Sequence, residues 1–170
     1  NDKFFLDAFV ENYLEQNGFS FFDWTKHCRD LFSTEENLTI KKPTKVAKKN
    51  YLKARSVYKS FKKLDIGQSI IVQNQLVLGL EAIEGTDNLI ERCNIYKRKG
   101  DKGILLKFSK KDQSNIIDVP LIGFETIKNI KKFNYEGIFL EKDKCIILDK
   151  DKVINYANKN NIFISSVDLN

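Results

Sequence analysis

The sequence predicts an α/β protein: a mixed sheet with helices packed on it, built around one core. Two observations carry this. Segments of period two, such as "QSIIVQNQLVLGLEA" and "NIFISSV", alternate along the chain with helical patterns such as "KKPTKVAKKNYLKARSVYKSFKKL". The length of 170 residues with 42% hydrophobic content is enough for a real core, in one domain or one and a half. There is no internal repeat or low-complexity segment.

Taken in order, "NDKFFLDAFVENYLEQNGF" reads as an amphipathic helix with Asp2 as cap and Gly18 as stop. "FSFF" reads as a short strand, Asp23 as the cap of a short helix through Phe32, and "STEENLTIKKPT" as a polar connector. In the basic segment, Ala47, Tyr51, Ala54, Tyr58 and Phe61 recur at spacings of three and four, which makes one amphipathic helix. "QSIIVQNQLVLGLEA" is a hairpin by pattern, although Asn74-Gln75 is not the favoured Asn-Gly. A helix over about Asp87 to Lys97 precedes the strand "GILLKFSK", which ends in Lys107 and Lys110. Beyond "IIDVPLIG" come a helix over Phe124 to Phe133, a hairpin in "GIFLEKDKCIILD", a last helix in "KDKVINYANKN" and a closing strand in "NIFISSV".

Several classes of function are disfavoured. No run of 18 apolar residues and no charged-then-apolar leader occurs, so neither a membrane-spanning helix nor a secretion signal is expected, and the expected location is intracellular. Cys28, Cys93 and Cys145 are odd in number and widely spaced, which argues against disulfides and zinc; all three are expected as small core residues. His27 is the only histidine, and no nucleophile or orienting group accompanies it. The chain contains no methionine and opens directly on a helical pattern, which suggests a piece of something longer.

The net charge of +6 is local. Lys41 to Leu64 holds ten Lys or Arg and no acid, so the remainder carries −4, the difference between +6 and ten. Such a face is either merely solvated or attracted to an anionic membrane surface or to nucleic acid, and a non-catalytic basic α/β module that binds acidic lipid or RNA is the alternative to an enzyme. Nucleic acid is the weaker of these and is not expected as a partner, because the aromatics of this segment fall on its presumed buried side.

In "LEAIEGTD", Glu84 and Asp87 flank Gly85 and Thr86 where an apolar run gives way to a helix. Two readings stand side by side: Thr86 or Asp87 caps the helix and Gly85 makes the turn, or the carboxylates and free backbone N–H groups hold a phosphate and its metal ion. Phosphate chemistry would also use cations and a carboxylate that orients water or holds Mg²⁺. Lys107 and Lys110 supply the first, and Asp118, constrained by Pro120 and Gly123, supplies the second.

The ordered set "LDIGQSIIVQNQLVLGLEAIEGTDNLIERC", "LLKFSKKDQSNIIDVPLIG", "EGIFLEKDKCIILDKD" and "NNIFISSV" resembles the LpxI-type UDP-2,3-diacylglucosamine pyrophosphatases of lipid A biosynthesis, most specifically at "DIGQ", "EGTD" and "DVPLIG". The resemblance implies Mg²⁺-dependent hydrolysis of UDP-2,3-diacylglucosamine to UMP and lipid X, by an enzyme peripheral to the inner membrane on its cytoplasmic side. It implies that Asp118 and Lys107 are catalytic, that Gln68, Gly85, Thr86, Lys110 and Gln113 bind substrate, and that Asp118, Glu84 and Asp87 hold metal. Asp65 and Gly67 join Gln68 in the "DIGQ" motif with a lesser expectation of a role. Family members also carry a Rossmann-like half ahead of this region. By that likeness residues 1–40 are the remnant of a preceding domain and a helical connector, residues 41–170 are the C-terminal catalytic-type α/β domain, and the isolated chain is expected to be inactive. In the loop after Lys110 the family usually reads Lys-Pro-x-Gln-Asp; here Lys111 stands at the proline position and Ser114 at the acidic one.

Overall fold

Ser69–Gln73 (β1) and Leu76–Leu80 (β2) form the antiparallel hairpin that their alternation predicts. Asn74 and Gln75 both turn with positive φ, 52° and 60°, the backbone of a tight primed turn normally given to glycine. Partners from elsewhere offset that cost: the Asn74 N–H donates to Asp101 Oδ2 at 2.9 Å and the Gln75 N–H to Asn50 Oδ1 at 2.7 Å. The structure is a computed structural model that describes residues 3–61, 64, 66–110 and 118–169, with backbone alone for 3–8 and 11.

β1 also pairs antiparallel with Ile104–Lys107 (β3), which runs parallel to Gly137–Glu141 (β5), itself parallel to Phe163–Val167 (β7). The sheet order is therefore β2-β1-β3-β5-β7. One face is covered by the basic helix Lys45–Phe61 (α2), whose Ala47, Ala54 and Tyr58 pack against Ile70, Leu106 and Phe163. Thr44 caps it, the Ala47 N–H donating to Thr44 Oγ1 at 3.1 Å. The other face takes the helices Thr86–Asn94 (α3), Phe124–Lys132 (α4) and Lys150–Lys159 (α5) through Leu89, Ile127, Ile130 and Val153. The mixed α/β sheet with helices on it is thus as the alternation predicts. The helix Lys3–Gln16 (α1) ends at Gly18, φ 84°, and the proposed cap Asp2 lies outside the described residues.

Four local expectations are corrected. "GIFLEKDKCIILD" is not a hairpin: β3 and β7 occupy both edges of β5, so Ile146–Ile147 (β6) pairs instead with Leu121–Ile122 (β4) in a separate parallel pair. "FSFF" forms no strand, and Phe19 and Phe22 are 64% and 69% exposed; the edge of β7 is met instead by residues 37–38. The helix expected from Asp23 through Phe32 is two 3₁₀ turns, Trp24–Lys26 and Arg29–Leu31, and the Asp23 carboxylate is taken by Thr25 and Lys26 rather than by a cap. Cys93 and Cys145 are buried as expected, but Cys28, between those turns, is only half-buried.

Candidate functional site

Strand register gathers the candidate residues at one end of the sheet. The parallel strands β3 and β5 finish there, β1 begins there, and β2 ends there. Lys107, the last residue of β3, sits opposite Ser69, the first of β1. The Glu81 N–H donates to the Ser69 carbonyl at 2.9 Å, and the Phe108 N–H donates to the Gln68 carbonyl at 2.9 Å. Gly67 is obligatory at this corner, since a Cβ would collide with the Glu81 backbone.

Alternation along β3 sends Leu106 and Phe108 to the α2 face, so Lys107 points to the face that carries α3. It is 3% exposed. Its ammonium donates to Thr86 Oγ1 at 2.7 Å and to Ser69 Oγ at 3.4 Å, with Glu81 Oε2 at 3.9 Å. The Thr86 hydroxyl donates to Glu81 Oε2 at 3.0 Å. A buried ammonium is tolerated only with a charge partner and hydrogen-bond acceptors, and this cluster supplies both.

Thr86 therefore does not cap α3, and neither does Asp87. The cap position is Gly85, φ 79°, with no side-chain cap and open space where a Cβ would stand. The helix presents its first-turn N–H groups without a capping side chain, a site suited to an anion. Glu84 is engaged: Arg92 Nη2 donates to its Oε1 at 2.6 Å and the Ala82 N–H to its Oε2 at 3.0 Å. That guanidinium holds the Glu84 carboxyl below the usual range. Asp87 Oδ1 is buried and has no hydrogen-bond partner among the described residues.

Asp118 is half-buried in the bend ahead of β4, which is fixed to β6 by the Ile146 N–H donating to the Pro120 carbonyl at 2.9 Å. Ile122 of β4 and Leu89 of α3 belong to one hydrophobic cluster, so both loops lead to elements on the same face of the sheet. Among the described residues no group of three His, Cys, Asp or Glu side chains stands together as a ready metal cage. Lys110 lines a depression with Phe61, Ile66, Gly67 and Glu81 at the same sheet end. Gln68 is half-buried there, whereas Gln113 and Asp65 lie outside the described residues. His27 stacks on Phe22 at a centroid distance of 5.0 Å.

Ser69 and Glu81 were not among the candidates from sequence. The available signal was an acid, Glu81, closing the apolar alternation of β2; its meaning depends on a register that no local pattern reveals.

This chain is 33% identical over 122 residues to UDP-2,3-diacylglucosamine pyrophosphatase LpxI of Caulobacter vibrioides, an alignment covering 68% of the chain and 44% of that relative. The chain thus spans less than half the length of this curated relative. A family model for the LpxI C-terminal domain matches residues 34–165, and the chain belongs to that family.

Proposed function

We propose that the protein carrying this domain hydrolyses the pyrophosphate bond of UDP-2,3-diacylglucosamine, releasing UMP and lipid X. The observation that carries the reading is the buried Lys107 ammonium, anchored beside the uncapped N-terminus of α3. Pyrophosphate hydrolysis brings an electron-rich oxygen to a phosphorus surrounded by negative charge, so fixed positive groups lower the barrier most. Lys107 and the first-turn N–H groups of α3 bind phosphate oxygens, and Lys110 adds charge at the rim. Asp118 accepts a hydrogen bond from the attacking water and takes its proton as the water oxygen bonds to phosphorus and the bridging P–O bond breaks.

The donor set fits Mg²⁺, which keeps several waters and is held by one or two carboxylates with substrate phosphates rather than by a protein cage. Asp87, whose buried Oδ1 has no partner among the described residues, and Asp118 are the residues that would hold it. Glu84 would join only by releasing Arg92. When bound, the ion would neutralise phosphate charge and make the coordinated water more acidic.

A diacylated substrate resides in a bilayer, and we place the protein at the cytoplasmic surface of the inner membrane. The exposed Lys45, Lys48, Lys49, Lys53 and Lys59 of α2 support this.

The deciding experiment incubates the full-length protein with UDP-2,3-diacylglucosamine and Mg²⁺. UMP release is expected; a folded protein that releases none, and only binds acidic lipid, overturns the proposal. The chain of 170 residues, which spans less than half the length of its curated relative, is expected on its own to melt cooperatively and release no UMP.

A further inference from the structure

The donors and acceptors around Lys107 can be counted. An ammonium carries three donors and no acceptor, and a threonine hydroxyl carries one proton and two lone pairs. Lys107 Nζ, 2.7 Å from Thr86 Oγ1, can only donate there, so Thr86 must send its single proton elsewhere. Glu81 Oε2, at 3.0 Å, receives it. Ser69 Oγ lies 3.2 Å from Thr86 Oγ1 and 3.4 Å from Lys107 Nζ, so it accepts from the ammonium and donates to the remaining Thr86 lone pair. The directions close consistently, from ammonium to carboxylate. Two of the three ammonium donors are then committed.

We infer that Glu81 is a positioning residue. By taking the Thr86 proton it holds that hydroxyl with its lone pairs turned toward Lys107 and Ser69, and it thereby fixes the ammonium with one N–H left for a phosphate oxygen of the substrate. This rests on the pyrophosphate-hydrolysing reading of the site. At 3.9 Å from Nζ the Glu81 carboxylate makes no hydrogen bond to Lys107, so its hold on the lysine runs through Thr86. Its own backbone is pinned to Ser69 and packed against Gly67, which leaves the carboxylate little freedom. Replacing it by glutamine keeps the shape but removes the charge and offers Thr86 an NH₂ as readily as an oxygen, so the hydroxyl is no longer held in that orientation.

The test uses the full-length protein with Glu81→Gln, Thr86→Val, Thr86→Ser and the double variant Glu81→Gln/Thr86→Val. Turnover of UDP-2,3-diacylglucosamine is expected to fall about 100-fold in Glu81→Gln, with KM changed far less, because the ammonium is misplaced rather than lost. Thr86→Ser should retain most turnover and Thr86→Val should lose it. The double variant should be no slower than Thr86→Val, since one residue acts through the other. A second readout is independent of turnover: the ¹⁵N–¹H NMR signal of the Lys107 ammonium, identified by its loss in Lys107→Arg, should shift or broaden in Glu81→Gln. Multiplicative losses in the double variant, or an unchanged Lys107 signal in folded Glu81→Gln protein, overturn the inference. If the unsubstituted protein releases no UMP, the hydrolase reading falls, and the NMR signal alone decides whether Glu81 positions Lys107.

Discussion

Glu136 holds Thr44 from two directions: its carboxylate accepts the Thr44 N–H at 3.0 Å and the Thr44 hydroxyl at 3.1 Å. The residue that leads into β5 thus fixes the start of α2 and places negative charge at that helix's positive end. Glu136→Ala leaves the Thr44 N–H without its acceptor, and a loss of about 1–3 kcal/mol in urea unfolding, with unchanged m-value, is expected. A stability equal to that of the parent sequence would show that water replaces the contact at no cost.

Asp101 latches the β1–β2 turn. Its carboxylate accepts from Asn50 Nδ2 at 3.0 Å, the Asn74 N–H at 2.9 Å and the Gly103 N–H at 2.7 Å. Asp101→Ala should cost on the order of 2–4 kcal/mol, since several donors lose one acceptor together. Gln75→Gly should act the other way and add about 1 kcal/mol, by relieving a side chain held at positive φ. Thermal unfolding of the two variants checks both signs.

In the full-length protein, Asp118→Asn should lower turnover by about 100-fold or more with little change in melting temperature, because Asp118 is only half-buried. Lys107→Ala should lose turnover and stability together, the latter by about 3–5 kcal/mol, since it strands the buried Glu81 carboxylate. Asp87→Asn should be partly recovered by raised Mg²⁺. Glu84→Gln should cost less, because its carboxylate is already given to Arg92. Kinetics across a Mg²⁺ series separates these outcomes; an Asp118→Asn enzyme with unchanged turnover would return that residue to a simple turn.

Thiol labelling should discriminate among the cysteines. Burial pushes the Cys145 thiol up to about 12 and the Cys93 thiol up to about 11, so neither forms thiolate between neutral pH and pH 9 while the protein is folded. Half-buried Cys28 should react first, and the other two only on unfolding. Mass spectrometry after a short maleimide pulse reads this directly; early modification of Cys145 would contradict its placement.

Sedimentation with vesicles tests the basic face of α2. Binding of the full-length protein should require anionic lipid and weaken as salt rises, with about 1 kcal/mol contributed per surface lysine at low salt. Indifference to both variables would remove α2 from the membrane contact.

The α2 face, the β1–β2 hairpin and the joint at Gly85 were legible because each is encoded by spacing within one short stretch. The pairing of β6 with β4 instead of β5 was not, because alternation identifies a strand without saying whose edge is free. "FSFF" failed in a similar way: its pattern suits a strand, but it pairs with no sheet edge and its Phe19 and Phe22 stand exposed. At the site, Lys107 and Thr86 were each readable as candidates. Their contact, and the whole role of Glu81 and Ser69, depends on how β1 and β3 register and on where α3 lands.

The parallel half of the sheet also sets an order of assembly during synthesis. β1, β2 and β3 can pair soon after residue 107 leaves the ribosome, because each neighbour is close in sequence. β5 has a strand on either side, and the second of these, β7, ends only at residue 167. Until then Phe139 lacks Phe163, the ring it packs against at 4.8 Å. The nascent chain must therefore carry a half-finished sheet with an open, apolar edge for the roughly 60 residues of translation that separate the ends of β3 and β7, a stretch of about 3–12 s at ordinary elongation rates. That interval is when the protein is most exposed to misassociation and has most need of a chaperone.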